Sequence, residues 1–532
     1  MEKRDCSSRL GWFTLAVIIA MVAIGFVPQF ELFGMHLNRV DIFSELRTND
    51  GEVIEYKADI ERLEQELAAM QQPDTLQEVD SLPINPPVRY EWIVAREEER
   101  VSRTLHSSEL KAIAERGDIE IEDFDTLATT RYSRFVEKLA NGESVRIAFM
   151  GDSFVEGDIL TSDLREELQM LFGGRGVGFV PCDIPFATVR RTVKRTSSGW
   201  SAYSVMKPKS APQNVADKFF VSGYLAKGGV GATTRWKSTE AFEHLDSCTR
   251  ARVLLYSRDT SRVVVALNDT IVNEVEVAGA DFIREIYIED ANVSDVKIRV
   301  ASGDVLCYGV TIEGEEGVIV DNFSVRSNNG HAIFGTGAAV NRQIDDILGY
   351  DLVVLQYGLN IMQKGQRGYT NYRNQLCDMI AYAERCFPNA AILVLGVSDR
   401  WVISEETGKY VPIGSVDALT SYQRAAADST NVAFWNTSKA MASLGGMPQF
   451  VAKGWAARDY THINFVGGKQ VAQLLVSAIV DPVYQLLEAR ELEAQRIAEE
   501  REMREREAQQ RLEMRLEAVM PLVDSLDWSK IE

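Results

Sequence analysis

The most informative segment of the chain is Val145-Arg146-Ile147-Ala148-Phe149-Met150-Gly151-Asp152-Ser153. Its first part is an apolar run typical of a buried strand, and Leu160, Leu164 and Leu168 follow at helical spacing. A turn from strand to helix at the carboxyl end of a parallel sheet exposes a side chain and points helix amide groups at nearby negative charge. The pattern predicts an α/β fold with Ser153 as a candidate nucleophile; an ordinary Gly-Asp-Ser turn is the alternative.

A serine nucleophile needs a base to accept its proton and a carboxylate to orient that base. The chain has five histidines, and only His462 follows an aspartate, Asp459, at helical spacing. Because positions i and i+3 share a helix face, we expect Asp459 to bind one imidazole nitrogen while the other nitrogen faces Ser153. The alternative is a helix-capping aspartate beside a surface histidine.

Two further segments supply donors for an oxyanion. Asn360 carries a side-chain amide just beyond the strand-like run 351–355. Gly330 follows two asparagines, a sequence that turns sharply and leaves a backbone N–H unpaired. Both residues fit an oxyanion hole together with the Ser153 amide, although an ordinary loop glycine remains the alternative for Gly330.

Serine, glycine, asparagine and Asp-x-x-His in this chain order resemble the SGNH (GDSL-like) hydrolases. The resemblance covers about 145–180 and 320–485. It implies a flavodoxin-like three-layer α/β/α core with a parallel sheet, and it implies ester hydrolysis. By the same resemblance, the catalytic residues are Ser153, Asp459 and His462, and the oxyanion hole is Ser153, Gly330 and Asn360.

The chain departs from the usual Gly-x-Asn-Asp of that family. Here the sequence is Gly358-Leu359-Asn360-Ile361, which keeps the oxyanion amide and loses the acid after it. We therefore still expect a catalytic site, but the sequence does not predict which hydrogen bonds hold Asn360.

Far more chain separates Ser153 from Gly330 than one or two βα units require. Residues 184–320 contain short β-like runs, such as 252–256 and 262–267, with turn residues between them. Regularly spaced short strands predict an inserted β-sandwich.

An SGNH core interrupted by a carbohydrate-binding-like sandwich resembles the bacterial peptidoglycan O-acetylesterases. The run from Gly151 to Asp158 and the glycine-rich run 172–179 carry the same resemblance. It implies a serine esterase that removes O-acetyl groups from a cell-envelope polysaccharide, such as peptidoglycan, through an acetyl-serine intermediate. One alternative is a periplasmic polysaccharide O-acetyltransferase that uses the same serine. Another is a non-catalytic glycan-binding envelope protein.

The N-terminus predicts export. Leu10 to Val27 is uncharged and almost wholly apolar, and Lys3, Arg4 and Arg9 precede it. This pattern favours a single helix that anchors the protein in the inner membrane with the remainder in the periplasm. A cleaved signal peptide, with Ala23-Ile24-Gly25 at the cleavage site, is the alternative.

Composition excludes some classes of function. A formal charge of −21 argues against nucleic-acid binding. Six cysteines in 532 residues are no disulfide scaffold, and no His/Cys cluster has zinc spacing. The predicted chemistry needs neither a cofactor nor a metal.

Two helical segments flank the predicted enzyme. Apolar residues recur at heptad spacing within 53–70, and residues 488–517 form a charged stretch with acidic and basic residues four apart. Either segment is a possible site for a homodimer or a partner protein, and a solvated single helix is the favoured interpretation of the second.

The predicted domains are an anchor (1–30), a stalk with a Pro-rich linker (31–120), the first part of the SGNH core (121–183), the inserted sandwich (184–320), the second part of the core (321–486) and a charged C-terminal helix (487–532).

Overall fold

The computed structural model describes residues 30–32, 35–37, 88–95, 104–127, 129–186, 190–245, 248–314 and 316–524. The chain divides into two compact units, Met1–Asn85 and Pro86–Glu532. In the first unit, strand β1 (Phe30–Leu32) pairs antiparallel with strand β2 (Met35–Leu37). The predicted membrane anchor and the heptad segment 53–70 lie outside the described residues.

A six-stranded sheet in the second unit carries the candidate site. In spatial order its strands are β15 (Val318–Ser324), β5 (Val145–Gly151), β16 (Leu352–Gln356), β17 (Ala391–Leu395), β18 (Ala433–Trp435) and β4 (Glu122–Asp123). The first five strands are parallel, and β4 is antiparallel at the edge. Counted along the chain, the parallel strands lie in the order 2-1-3-4-5, which is the flavodoxin-like order. The predicted parallel sheet is confirmed.

Side chains of β5 alternate between the two faces of this sheet. Ile147 and Phe149 belong to one apolar cluster, while Ala148 and Met150 belong to another. Helices cover both faces, which gives three layers. The first cluster includes residues of α1 (Ser107–Ala114), α2 (Arg131–Ala140), α3 (Thr161–Phe172), α8 (Thr437–Ser443), α9 (Gly446–Ala452) and α10 (Phe465–Asp524), and the second includes residues of α4 (Gln213–Ala216), α5 (Ala338–Leu348), α6 (Thr370–Cys386) and α7 (Val416–Ser429).

A second, ten-stranded sheet is formed mostly by the predicted insert. Its path runs β11 (Ile271–Val277), β10 (Ser261–Leu267), β13 (Asp295–Ser302), β8 (Tyr224–Ser238), β14 (Val305–Glu313), β9 (Arg250–Tyr256), β12 (Ile283–Glu289) and β3 (Val88–Ile93), with β6 (Gly176–Pro181) on β14 and β7 (Val193–Ser204) on β8. The period of two explains these strands: Val263, Val265 and Leu267 are buried, and the residues between them are not. These residues join a third apolar cluster with Trp236 and Val253. The insert is therefore rich in strands, whereas its status as a separate sandwich domain stays a prediction.

Three strands lie on the other side of the predicted boundaries. Strand β3, placed in the stalk, pairs in parallel with β12, and β6, placed in the core, pairs with β14. Strand β15 begins at Val318 and pairs with β5, so the core resumes before residue 321. The predicted stalk is also too long, because helix α1 packs in the core. A strand belongs to the sheet whose edge it pairs with, and the sequence of the strand itself does not show which edge that is.

The predicted separate charged helix from residue 487 is wrong. One helix, α10, runs from Phe465 to Asp524, and its most apolar window of 18 residues has a mean hydropathy of 1.2. Val471, Leu475 and Ile479 of that helix are buried in the first cluster. Among the described residues, α10 is long and apolar enough to cross a membrane, but 61% of the window is buried inside the protein. The helix is therefore used as a core helix here.

Between Glu488 and Glu517 the side chains of the same helix are exposed, except for the half-buried Glu491 and Glu500. The ion pairs expected there are present: Arg504 lies 3.7 Å from Glu500, Arg506 lies 3.1 Å from Glu502 and Arg511 lies 3.1 Å from Glu507. Such exposed pairs each add only a few tenths of a kcal/mol to helix stability. The part of the helix beyond Leu487 thus keeps its helical form as a continuation of a buried helix.

Candidate active site

Ser153 lies just past the end of the central strand β5. The strand is buried throughout, and a Cβ atom on Gly151 would lie 2.8 Å from Val155 Cγ2, so the chain turns tightly there. Helix α3 does not begin at this turn, because its first residue is Thr161. The expected helix N-terminus beside Ser153 is therefore wrong: Gly157 and Asp158 intervene with left-handed φ angles of 67° and 69°.

Ser153, His462 and Asp459 come together at the carboxyl edge of the sheet. Ser153 Oγ lies 3.2 Å from His462 Nε2, and His462 Nδ1 lies 2.7 Å from Asp459 Oδ2. The His462 and Asp459 side chains are each 47% exposed, so the imidazole is accessible from solvent. This is the order of contacts that a serine nucleophile, its base and an orienting acid require.

A turn brings Asp459 and His462 together. The prediction that the two residues share a helix face is wrong. Asp459 Oδ1 accepts hydrogen bonds from the backbone N–H groups of Thr461 and His462 at 2.9 and 3.1 Å. Helix α10 begins only at Phe465. Burial by itself would raise the pKa of Asp459, but the hydrogen bonds from His462 and Thr461 outweigh burial and hold the pKa below its usual value. Asp459 is thereby kept ionised and aimed at the imidazole.

Asn360 lies beside this group, held by two acceptors. Its Nδ2 donates to the Asn328 carbonyl oxygen at 3.0 Å and to Asp152 Oδ2 at 3.2 Å. Both amide hydrogens therefore have partners, and an oxyanion would have to replace or share one of them. The contact with Asp152 is the one that links Asn360 to the residue next to Ser153.

Asp152 is a site residue that sequence reasoning missed. Its side chain is fully buried, and Oδ1 accepts the Phe154 backbone N–H at 2.9 Å. Burial raises the pKa of Asp152 to about 7, although the Phe154 N–H and the charge of His462 oppose that rise. Aspartate is common in turns whether or not it is buried, so the Gly-Asp-Ser sequence gave no sign that this carboxyl is buried and bound to Asn360.

Gly330 does not present a free donor. Its φ of 96° is left-handed, as the sequence suggested, but its backbone N–H donates to Asn328 Oδ1 at 2.8 Å. The predicted unpaired N–H is therefore wrong in this arrangement, because the preceding asparagine side chain folds back onto it. A Cβ at this position would meet Met379 Cε at 2.2 Å, which gives the glycine a packing reason of its own.

Among the described residues, no three His, Cys, Asp or Glu side chains are placed to hold a metal ion. The five cysteines within the described part of the chain are free.

Comparison with known proteins bears on the fold. No family model and no curated protein matches the chain. A solved peptidoglycan O-acetylesterase matches with a TM-score of 0.56 and 20% sequence identity, over 69% of this chain and 99% of that one. The chain shares the fold of that O-acetylesterase. The resemblance to peptidoglycan O-acetylesterases predicted from the sequence is thus confirmed at the level of fold.

Two other solved structures match this chain with much lower TM-scores. A family two carbohydrate esterase from Cellvibrio japonicus covers 45% of this chain and 86% of its own, with a TM-score of 0.18 and 10% identity. A lipase/acylhydrolase from Enterococcus faecalis covers 31% of this chain and 77% of its own, with a TM-score of 0.23 and 17% identity. Superpositions this poor add nothing to the first comparison.

Proposed function

We propose that this protein is a serine esterase that removes O-acetyl groups from a cell-envelope polysaccharide, such as peptidoglycan. The observation that carries the proposal is the contact chain Ser153 Oγ, His462 Nε2, His462 Nδ1, Asp459 Oδ2, with distances of 3.2 and 2.7 Å at its two hydrogen bonds. The shared fold with a peptidoglycan O-acetylesterase supports the same class of reaction.

The proposed reaction has two steps. His462 Nε2 accepts the Ser153 proton as the serine oxygen attacks the acetyl carbonyl carbon, and the sugar oxygen then leaves with a proton from His462. A water molecule, deprotonated by the same imidazole, attacks the acetyl-serine and releases acetate and free Ser153. Asp459 stabilises the imidazolium that forms in each step and fixes the imidazole tautomer.

The tetrahedral intermediate of each step carries an oxyanion. We assign its donors as the Ser153 backbone N–H and Asn360 Nδ2, with the latter exchanging its hydrogen bond to Asp152 or to Asn328. Gly330 joins them only if its N–H leaves Asn328 Oδ1, 2.8 Å away. A single donor of this kind contributes about 3 kcal/mol to stabilisation of the transition state.

We also propose a place for the enzyme. The uncharged run from Leu10 to Val27 with basic residues before it supports an inner-membrane anchor and a catalytic unit in the periplasm, where an envelope polysaccharide is accessible. The inserted strands, 184–320, are proposed to bind that glycan.

The test is acetate release by the full-length protein from 4-nitrophenyl acetate and from O-acetylated peptidoglycan. Ser153→Ala removes the nucleophile and should lower kcat by about 10⁴-fold or more on both substrates. Ser421→Ala, an exposed serine on α7, is the matched control and should keep full activity. Equal rates for Ser153→Ala and the unmodified protein would disprove the proposal. Mass gain on a deacetylated glycan, in place of net acetate release, would show acetyl transfer instead.

A further inference from the structure

A cavity of about 100 Å³ lies where the ten-stranded sheet meets the loop after Ser153. Ser324, in its wall, is the register partner of Gly151, two residues before Ser153. Glu156, also in its wall, follows Ser153 by three residues. The cavity is therefore adjacent to the proposed nucleophile, although none of Ser153, His462 and Asp459 lines it. Its lining residues from the ten-stranded sheet and its connections include Val180, Arg190, Val193, Arg195, Ser222 and Tyr224.

Three polar groups in the cavity wall have no hydrogen-bond partner within the described part of the chain. The guanidinium of Arg195 on β7 forms neither a hydrogen bond nor an ion pair there. Tyr224 is only 5% exposed, yet no described residue bonds to its hydroxyl. Glu156 Oε1 is buried and unpaired, while its other oxygen binds Arg326 at 2.8 Å. Polar groups that are buried without partners are costly, so a wall that holds two of them beside the half-buried guanidinium of Arg195 is suited to a polar ligand.

The charges of the wall favour an anion. Arg190 is neutralised by the buried carboxylate of Asp158 at 2.8 Å, and Glu156 is neutralised by Arg326. Arg195 keeps its charge uncompensated: burial lowers its pKa, and the attraction of Asp183 offsets this only in part. Arginine is the side chain that best matches a carboxylate, through two parallel N–H···O bonds.

We propose that this cavity is a substrate subsite that binds a carboxylate carried by the acetylated sugar, with Arg195 as its partner. This proposal rests on the proposed esterase function and names the substrate class: a glycan whose acetylated sugar is acidic. Arg195 donates to the carboxylate, the Tyr224 hydroxyl donates to a second oxygen, and Glu156 Oε1 accepts from a sugar hydroxyl. Two sources supply this chemistry: the free lactyl carboxyl of a muramic acid residue that bears no stem peptide, and the ring carboxyl of a uronic acid.

The experiment compares acid and amide forms of each sugar. Acetate release is measured from O-acetylated N-acetylmuramic acid and from O-acetylated glucuronic acid methyl glycoside, each beside its neutral carboxamide, and from 4-nitrophenyl acetate. We expect the full-length protein to prefer one acid over its amide in kcat/KM. Arg195→Gln should remove that preference by lowering kcat/KM for the acid about 10- to 100-fold. It should leave the rate of 4-nitrophenyl acetate hydrolysis within about two-fold of that of the unmodified protein. Arg262→Gln, which changes an exposed side chain on strand β10 of the same sheet, is the control and should alter neither the acid preference nor the 4-nitrophenyl acetate turnover.

The outcomes separate this inference from the proposed function. An acid-to-amide ratio near one for both sugars, or a ratio that survives Arg195→Gln, overturns the subsite. If Arg195→Gln also loses 4-nitrophenyl acetate turnover, Tyr224→Phe decides: a selective loss on the acid supports the subsite, and unchanged kinetics overturn it. If the unmodified protein hydrolyses no acetyl ester at all, the esterase proposal fails. In that case, calorimetric binding of N-acetylmuramic acid or glucuronic acid that Arg195→Gln abolishes supports the cavity as a binding site, and absent binding overturns it.

Discussion

At the scale of single residues, Asp152 is the group whose ionisation the fold most changes at the candidate site. Its carboxyl is buried, accepts from Phe154 N–H and from Asn360 Nδ2, and has its pKa raised to about 7 by burial. A carboxyl with a raised pKa binds its proton more tightly in the folded state than in the unfolded state. Between its ordinary pKa near 4 and about pH 7, this residue therefore makes the free energy of unfolding fall as pH rises.

Asp152→Asn should remove that pH dependence. The amide has nearly the same shape and keeps an acceptor oxygen, but it carries no charge to desolvate. Urea unfolding at pH 5 and pH 8 measures the free energy of unfolding of both proteins. Between these pH values, the free energy of unfolding of the variant should rise relative to that of the unmodified protein by on the order of 3 kcal/mol. Parallel stability curves for the two proteins would show that the carboxyl titrates normally.

The same residues show what sequence reveals at this scale. Ser153, Asp459 and His462 were predicted because residue type and chain order are local signals, and the structure brings them together. Gly330 was mistaken as a free donor because the Asn328 side chain satisfies its N–H, and side-chain hydrogen bonds are set by tertiary geometry. The helix expected at Asp459 was wrong for a related reason, since a turn closed by the aspartate itself also brings residues i and i+3 together.

At the scale of elements, buried charges join the two sheets. Arg146 on β5 binds Glu313 on β14 at 2.8 Å and Asp321 on β15 at 2.7 Å. Asp321 also accepts from the Tyr350 hydroxyl and the Phe179 N–H, each at 2.7 Å. Arg146 and both acids are at least 97% buried, so each charge depends on its partners.

Glu313→Gln should therefore be strongly destabilising. The substitution removes the negative charge that faces the buried Arg146 and the partly buried Arg252, and breaking a buried pair such as Arg146–Glu313 costs about 3–5 kcal/mol. The matched control is Glu274→Gln, whose partner Arg262 lies 3.7 Å away at the surface and whose loss should cost less than about 1 kcal/mol. Thermal and urea unfolding at pH 7 measure both variants, and similar losses for the two would contradict the argument.

That pair of arginines also accounts for the pH behaviour of Glu313. Burial by itself would raise its pKa, but the charges of Arg146 and Arg252 outweigh burial and lower the pKa below its usual value. Its contribution to stability is consequently present above its unfolded-state pKa and is lost as pH falls through the folded-state pKa.

At the scale of the whole molecule, the sequence predicted that the two sheets exist better than it predicted which strands belong to each. The apolar run 145–151 and the alternation in 261–267 mark individual strands, and the order of motifs along the chain indicates the parallel core. No local pattern in 88–93 or 176–181 announces that these strands join the sheet of the insert, since that is decided by which edges are free. Helix α10 shows the same limit: its buried start and exposed end differ in composition, so sequence suggested two elements where one continuous helix exists.

The exposed end of α10 tests how far the folded unit extends. Glu491 is the last residue of the helix with a hydrogen bond to the core, to Ser107 of α1, among the contacts of the described residues. Beyond it, the side chains bond along the helix itself, as Arg496 does with Glu493 and Glu500.

Truncation after Ala494 should therefore leave the melting temperature within about 2 °C of that of the full chain and acetate release unchanged, because pairs exposed on one helix add little to global stability. Truncation after Asn464 is the contrasting variant, and it should yield no folded protein because it removes Val471, Leu475 and Ile479 from the core. A large fall in melting temperature for the first truncation would mean that the helix end beyond Ala494 binds a second surface, on this chain or on another copy.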